Sequence, residues 1–288
     1  MALSAPRLRC AVAQLTSTAD LAANLATAEQ LVAEASARGC ALVALPENFA
    51  FLGSQEGQAL AVAESLDGDG PILSMLRRAA RQHAITIVAG GLPERTASDG
   101  ARIHNCCVVV GPDGQRLAAY RKIHLFDVAL ADGSVHRESA QVAAGDEVVV
   151  ADTVLGRLGL SVCYDVRFPE LYRALVDAGA TSFVVPAAFT LHTGKDHWHA
   201  LLRARAIENL AFVLAPAQVG RHNEKRVTYG HALVVDPWGN VLADAGSEAT
   251  GLAIAELDVA LQQKWRRELP CLEHRRFGGS GEPRSERR

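Results

Sequence analysis

The sequence predicts an α/β protein of layered sheets and helices, and three observations predict it. Short apolar runs of strand length alternate with segments whose apolar residues recur at helical spacing. Some of those runs, Ala41-Leu42-Val43-Ala44-Leu45 among them, are apolar without interruption, so their strands need cover on both faces. Two pairs of runs flank the turn sequences Gly111-Pro112-Asp113-Gly114 and Asp236-Pro237-Trp238-Gly239, which adds hairpins to the alternation. Layered α/β architecture follows, with strand order left open.

In chain order, residues 9–14 read as a strand, and Leu21, Leu25, Ala28, Leu31, Val32 and Ala35 form a helix face that ends at Gly39. A short buried strand occupies 41–45. Asp69-Gly70-Pro71 opens a helix to about His83, with proline in its first turn, and 85–89 is the next strand. Strands at 103–110 and 117–122 flank the first hairpin turn. The second half continues with strands at 148–152 and 158–163, a helix at 169–178, a strand at 183–185, a helix at 197–210 and a strand at 212–218. Hairpin strands at 231–235 and 240–243 precede an amphipathic helix at 258–268. No short-period repeat interrupts this order. The polar, glycine-rich residues 277–288 lack apolar periodicity and are expected to be a mobile tail, which leaves 1–276 as one domain.

Composition narrows the function. With 288 residues, 49% hydrophobic, 21% charged and a net charge of −3, the chain can bury a sizeable core and has no basic excess for nucleic acid, so a small-molecule partner is expected. The six cysteines, at 10, 40, 106, 107, 163 and 271, form no CxxC pair and read mainly as small buried hydrophobes. Cys106 and Cys107, adjacent on one strand, must face opposite ways. The N-terminus has no long apolar core with a cleavage site, and no stretch approaches the roughly 20 apolar residues of a membrane span. The expected location is the cytoplasm.

Three reactive residues stand at the ends of apolar runs: Glu47 after 41–46, Lys122 after 117–121, and Cys163 after 158–162. Carboxyl ends of strands gather the ligand site in α/β folds, so the three are expected to converge. Each has a plain alternative: Glu47 as a cap, Lys122 as an edge-strand charge, Cys163 as an inert core thiol. Together they supply a nucleophile, a carboxylate base and a fixed cation, the parts of an acyl-transfer site. Cys163 before a helix start favours thiolate, with Lys122 lowering its pKa and standing, beside the backbone N–H of Tyr164, at a developing oxyanion. His197 and His199, two apart on a helix, point to different faces and make no chelate, so no metal is expected.

The segments Leu45-Pro46-Glu47-Asn48-Phe49, Tyr120-Arg121-Lys122-Ile123-His124-Leu125-Phe126-Asp127 and Val162-Cys163-Tyr164-Asp165-Val166-Arg167-Phe168-Pro169-Glu170-Leu171 resemble those of the nitrilase-like carbon–nitrogen hydrolases. The resemblance spans nearly the whole chain and implies a four-layer α-β-β-α sandwich, no cofactor, and a homodimer or larger homo-oligomer. It implies a catalytic triad of Glu47, Lys122 and Cys163. Glu138, in His136-Arg137-Glu138-Ser139 and on a loop that also holds Asp132, takes the place of a second acid that positions the lysine. The stretch from Arg266 to Arg276 is then a candidate subunit contact.

Within the family, 201–209 and 220–231 are similar to the deaminated glutathione amidase branch. That similarity implies hydrolysis of the side-chain-type amide of a 2-oxo acid, giving 2-oxoglutarate and cysteinylglycine from deaminated glutathione. A 2-oxoglutaramate amidase, another amidase or N-carbamoyl amino acid hydrolase of the family, and a scaffold without turnover are the alternatives. Arg167 is the expected carboxylate clamp, against an ion pair with Asp165 or Glu170; Phe189 and Thr193 are expected to line the pocket. Leu191 and His192 are bulkier than the branch pattern, which bears on substrate size. Arg203, Arg205 and Glu208 read as helix surface and ion pairs, and Lys225 and Arg226 as ligand contacts or solvated loop.

Overall fold

The computed structural model describes residues 7–55, 57–96, 100–129 and 135–277. The tail from 278 and the loop position Asp132 lie outside these residues. The chain opens with β1 (Leu8–Leu15) and α1 (Leu21–Ala37), whose first turn is capped by Asp20: its carboxylate accepts the Ala23 N–H at 3.0 Å. The face read from spacing is the buried one, through Ala28, Leu31, Val32 and Ala35. After β2 (Leu42–Leu45) comes a short α2 (Gln58–Ala61) that no periodicity announced. In α3 (Pro71–His83), Pro71 occupies the first position and Glu64 accepts the Ile72 and Leu73 N–H groups at 2.7 and 3.0 Å. The strands β3 (Thr86–Arg95), β4 (Ile103–Val110) and β5 (Arg116–Arg121) then run as an antiparallel meander. A small hairpin follows, β6 (Asp127–Ala129) with β7 (Val135–Arg137).

The second half holds β8 (Val150–Thr153), β9 (Gly156–Leu160), α4 (Pro169–Asp177), β10 (Ser182–Val184) and α5 (Leu191–Asn209). It closes with β11 (Phe212–Ala215), β12 (Ala217–Arg221), β13 (Val227–Tyr229), β14 (Leu233–Val235), β15 (Val241–Asp244), β16 (Gly251–Leu257) and α6 (Val259–Glu268). Several boundaries differ from the sequence reading, β3 among them, which runs on to Arg95 rather than ending at 89. Helix α5 starts at Leu191 rather than 197, because Thr190 caps it. The run 212–218 is two strands in two sheets, broken at Pro216, which has no N–H for a ladder. Strand β16 was not read at all.

The first sheet orders β13-β12-β1-β2-β3-β4-β5 with β16 also paired to β1, and the second orders β15-β14-β11-β10-β9-β8. Side chains alternate between faces along each strand. Cys10, Val12, Leu42, Ala44, Val88 and Cys107 of the first sheet share one core with Leu158, Leu160, Phe183 and Val184 of the second. Their neighbours Ala11, Ala13, Val43, Ile87 and Cys106 pack instead with α1 and α3. The second sheet is covered by α4 and α5 through Leu171, Tyr172, Leu175, Trp198 and Leu202. This is the four-layer α-β-β-α sandwich, and Cys106 and Cys107 face opposite ways within it. No helix of the described residues is long and apolar enough to cross a membrane.

Parallel pairing of β1, β2 and β3 sends the chain the same way along each, and β5, two reversals after β3, points with them. Strands β9, β10 and β11 are likewise mutually parallel. The residues that follow β2, β5, β9 and β10 line one cavity.

Candidate active site

That cavity, of about 490 Å³, is lined among others by Glu47, Asn105, Lys122, Glu138, Cys163, Tyr164, Arg167, Phe189, Thr193 and Arg226. Glu47, Lys122, Glu138, Cys163, Tyr164, Arg167, Phe189 and Thr193 therefore reach one place, whereas Lys225 is exposed and does not line it. Leu191 and His192 do not line it: Leu191 is 48% exposed at the start of α5, so their bulk does not narrow the cavity.

Glu47 leaves β2 and is 2% exposed. Its Oε1 accepts from Asn105 at 2.8 Å and from Lys122 Nζ at 3.1 Å, and its Oε2 accepts the Ala188 N–H at 3.0 Å. Lys122, also 2% exposed, donates to both oxygens of Glu138, at 3.0 and 2.8 Å. Glu138 stands in a 3₁₀ turn after β7 and is fixed further by the Phe126 N–H at 2.7 Å. Burial works against the Lys122 cation, but the carboxylates of Glu138 and Glu47 outweigh it and raise its pKa. Burial likewise works against ionised Glu47, and Lys122, Arg226 and a hydrogen bond from Cys163 outweigh it, lowering that pKa. Both groups are charged at neutral pH.

Cys163 begins a 3₁₀ turn of five residues, Cys163–Arg167, at a φ of 52°. Asp165, fully buried, holds the turn: its carboxylate accepts the Val162 N–H at 2.8 Å, Tyr120 Oη at 2.7 Å and the His124 N–H at 3.1 Å. Arg205 of α5 makes the expected ion pair, with Glu208 at 2.9 Å, but it is buried rather than on the helix surface and also donates to Val166 O at 2.9 Å, which braces this turn. The Cys163 N–H donates to Pro186 O at 2.9 Å and that of Asp165 to Val162 O, while the Tyr164 N–H has no carbonyl partner inside the turn.

The expected thiolate is not the resting form. Burial, and next the Glu47 carboxylate, push the Cys163 thiol well above its ordinary range, and the opposing pull of Lys122 is weaker. Two carboxylates already surround the Lys122 ammonium, so a thiolate beside Glu47 would add a further negative charge next to an existing one. The arrangement instead hydrogen-bonds a neutral thiol to an ionised base.

Arg167 pairs with neither Asp165 nor Glu170. Its guanidinium lies 5.2 Å from the centroid of the Phe189 ring and 5.9 Å from that of Tyr164, with His197 Nδ1 at 3.3 Å. Arg226 also faces the cavity. Its Nη2 donates to Ala188 O at 3.3 Å, its Nε is buried without a partner, and no carboxylate among the described residues pairs with it.

Asn105 and Gln218 escaped the sequence reading. Asn105 donates to Glu47 and, at 3.2 Å, to Glu138, which ties the two acids together; Gln218 donates to the Glu47 carbonyl at 3.1 Å. A polar residue inside the apolar run Ile103-His104-Asn105-Cys106-Cys107-Val108 was the available signal. His199, His231 and Asp244 form the one group of metal-ligand composition among the described residues, away from the cavity. Asp244 Oδ2 lies 3.1 Å from His199 Nε2 and 3.0 Å from His231 Nδ1, so His199 does diverge from His197. In the basic C-terminal segment, Arg266 in the last turn of α6 donates to Leu210 O and Asn209 O, and Arg275 beyond the helix pairs with Asp177 at 3.0 Å, so both arginines bind their own chain.

An α-β-β-α sandwich with a carboxylate, an ammonium and a thiol at converging strand ends defines a class of hydrolase, and the comparisons agree. The carbon-nitrogen hydrolase family model matches residues 9–267, and the chain belongs to that family. It is a hydrolase of carbon–nitrogen bonds. The deaminated glutathione amidase of Synechocystis is 48% identical over 272 residues, covering 93% of this chain and 97% of that one. The crystal structure of the Caenorhabditis elegans NitFhit protein aligns with a TM-score of 0.88 at 41% identity, over 95% of this chain and 66% of that one. A mutant amidase from Nesterenkonia, solved after Michael addition of acrylamide at its active-site cysteine, aligns with a TM-score of 0.74 at 30% identity, over 91% of this chain and 98% of that one.

Proposed function

We propose that the chain is an amidase for 2-oxo acid amides, with deaminated glutathione as its preferred substrate, and that Glu47, Lys122 and Cys163 are its catalytic residues. The observation that carries this reading is a cavity holding a thiol, a base and a cation together with two arginines that make no ion pair with a carboxylate among the described residues. Deaminated glutathione bears one carboxylate on its 2-oxo acyl part and one on its glycine, a demand that two guanidinium groups meet. The relatives named for that amidase support the same substrate.

The Cys163 thiol gives its proton to Glu47 as Sγ bonds to the amide carbonyl carbon. Lys122 and the Tyr164 N–H stabilise the oxyanion that forms, and Glu138 holds Lys122 for that task. Collapse breaks the carbon–nitrogen bond, and Glu47 passes its proton to the departing amine, releasing cysteinylglycine. Glu47 then takes a proton from a water molecule that attacks the thioester, and the thiol is regenerated as 2-oxoglutarate leaves. Apart from the attacking water, every bond change uses a side chain or N–H group of the cavity, so the steps call for no cofactor. The enzyme acts in the cytoplasm as a homodimer or larger homo-oligomer on this reading, which light scattering coupled to gel filtration tests.

The decisive experiment compares kcat/KM on deaminated glutathione, 2-oxoglutaramate, an N-carbamoyl amino acid and a nitrile. Deaminated glutathione is expected to lead, and Cys163→Ala to lose at least about 10⁴-fold. Preference for the nitrile or the carbamoyl compound, or near-native turnover by the alanine variant, sinks the proposal.

A further inference from the structure

Arg226 belongs to no part of the triad, yet its surroundings set it apart from the other arginines. A buried guanidinium nitrogen without an acceptor from the protein is costly unless water or a ligand supplies one. Arg226 Nε is such an atom, and the side chain opens on the cavity. Its backbone is pinned. The Arg226 N–H donates to Asn223 Oδ1 at 2.9 Å and its carbonyl accepts the His222 N–H at 3.0 Å. His222 in turn lies 2.8 Å from Ser17 O and 2.7 Å from Thr228 Oγ1. Burial lowers the His222 pKa, so this anchor is a neutral ring. A fixed, unpaired cation in a cavity is a preorganised anion site.

Its position also selects which anion. Arg226 Nη2 binds the carbonyl of Ala188, the residue whose N–H binds Glu47 Oε2. Arg226 is thus held one residue from the carboxylate that, in the mechanism above, protonates the departing amine. Arg167 sits on the nucleophile's own turn, over Phe189 and Tyr164. We infer that Arg226 binds the carboxylate of the leaving group, the glycine carboxylate of deaminated glutathione, while Arg167 takes the carboxylate of the acyl part; this rests on the functional reading above. Arg226 then decides whether the enzyme prefers a peptide-like leaving group to ammonia.

The test uses deaminated glutathione and its analogue whose glycine carboxylate is a carboxamide, on wild type and on Arg226→Gln and Arg226→Lys. The wild type is expected to favour the free carboxylate about 10- to 100-fold, mainly in KM, through the lost charged hydrogen bonds. In R226Q that preference collapses to within about two-fold, and R226K falls between, because lysine keeps the charge without the fork. A ratio of two substrates on one protein does not depend on how much of the variant is folded. An unchanged ratio in R226Q, or no preference in the wild type, overturns the inference. If the wild type hydrolyses neither compound, the functional reading fails instead. The anchor is then judged by how the two compounds inhibit whichever panel amide is turned over, with the same collapse expected in R226Q.

Discussion

Cys163 occupies the left-handed region at a φ of 52°, which costs a non-glycine residue about 1–2 kcal/mol. Asp165 on the Val162 N–H and Pro186 O on the Cys163 N–H hold it there. The consequence is chemical: the thiol points at Glu47, and burial with that carboxylate keeps it protonated. Reactivity then depends on ionised Glu47 rather than on a free thiolate. The unfolded chain titrates a glutamate near 4.5, and the folded value of Glu47 lies lower. A depressed carboxylate leaves its contribution intact above 4.5 and loses it as pH falls through the lower folded value. The acid limb of kcat/KM is therefore expected below pH 4.5, measured within the range where circular dichroism shows the native fold. A limb near the ordinary histidine or cysteine range contradicts this account.

At the scale of elements, the strands explain why distant residues meet. Residues 47, 122 and 163 were legible because each ends an apolar run, and parallel strands deliver such ends to one edge. What closes the gap between the sheets was not legible. The register of β3 against β4 shifts between Ala89 and Leu92, placing Gly90 and Gly91 at the irregularity. A Cβ on Gly90 would meet Pro186 Cβ at 1.9 Å, so the second sheet approaches there only because that atom is missing. A Cβ on Gly91, whose φ is 61°, would meet Asn105 Oδ1 at 2.7 Å and Glu47 Cγ at 2.8 Å. Gly91→Ala is therefore expected to cost about 2–4 kcal/mol in a denaturant titration, from overpacking and the unfavourable φ. It should also cut kcat at least about ten-fold by displacing Glu47. Native stability and kcat in this variant would show that the irregularity does not frame the site.

On the scale of the whole molecule, chain ends and sheet crossings govern integrity. Strand β16, from near the C-terminus, pairs antiparallel with β1 from Leu8↔Leu257 to Gln14↔Gly251, and β1 is the strand beside β2. Removing residues from 251 onward would expose that edge and strip α6, whose Gln262 binds the carbonyls of Thr181 and Leu210. Such a truncation is expected to be insoluble or to lose cooperative melting; a soluble, cooperatively melting product would show that β16 is dispensable. The run through Pro216 likewise leaves the second sheet and joins the first, carrying Gln218 to the Glu47 backbone. From local order alone, the chain determined its βα alternation, the helix start at Pro71, both hairpin turns and the strand-end positions of Glu47, Lys122 and Cys163. These follow from period, turn chemistry and sequence neighbours. Only the tertiary structure decided that Asn105 ties two acids, that Asp165 holds the nucleophile's turn, that the thiol rests protonated and that Arg226 stands unpaired. Each of those depends on which distant residues meet in space, as Asn105 and Glu47 do across 58 positions, and local spacing carries no record of that.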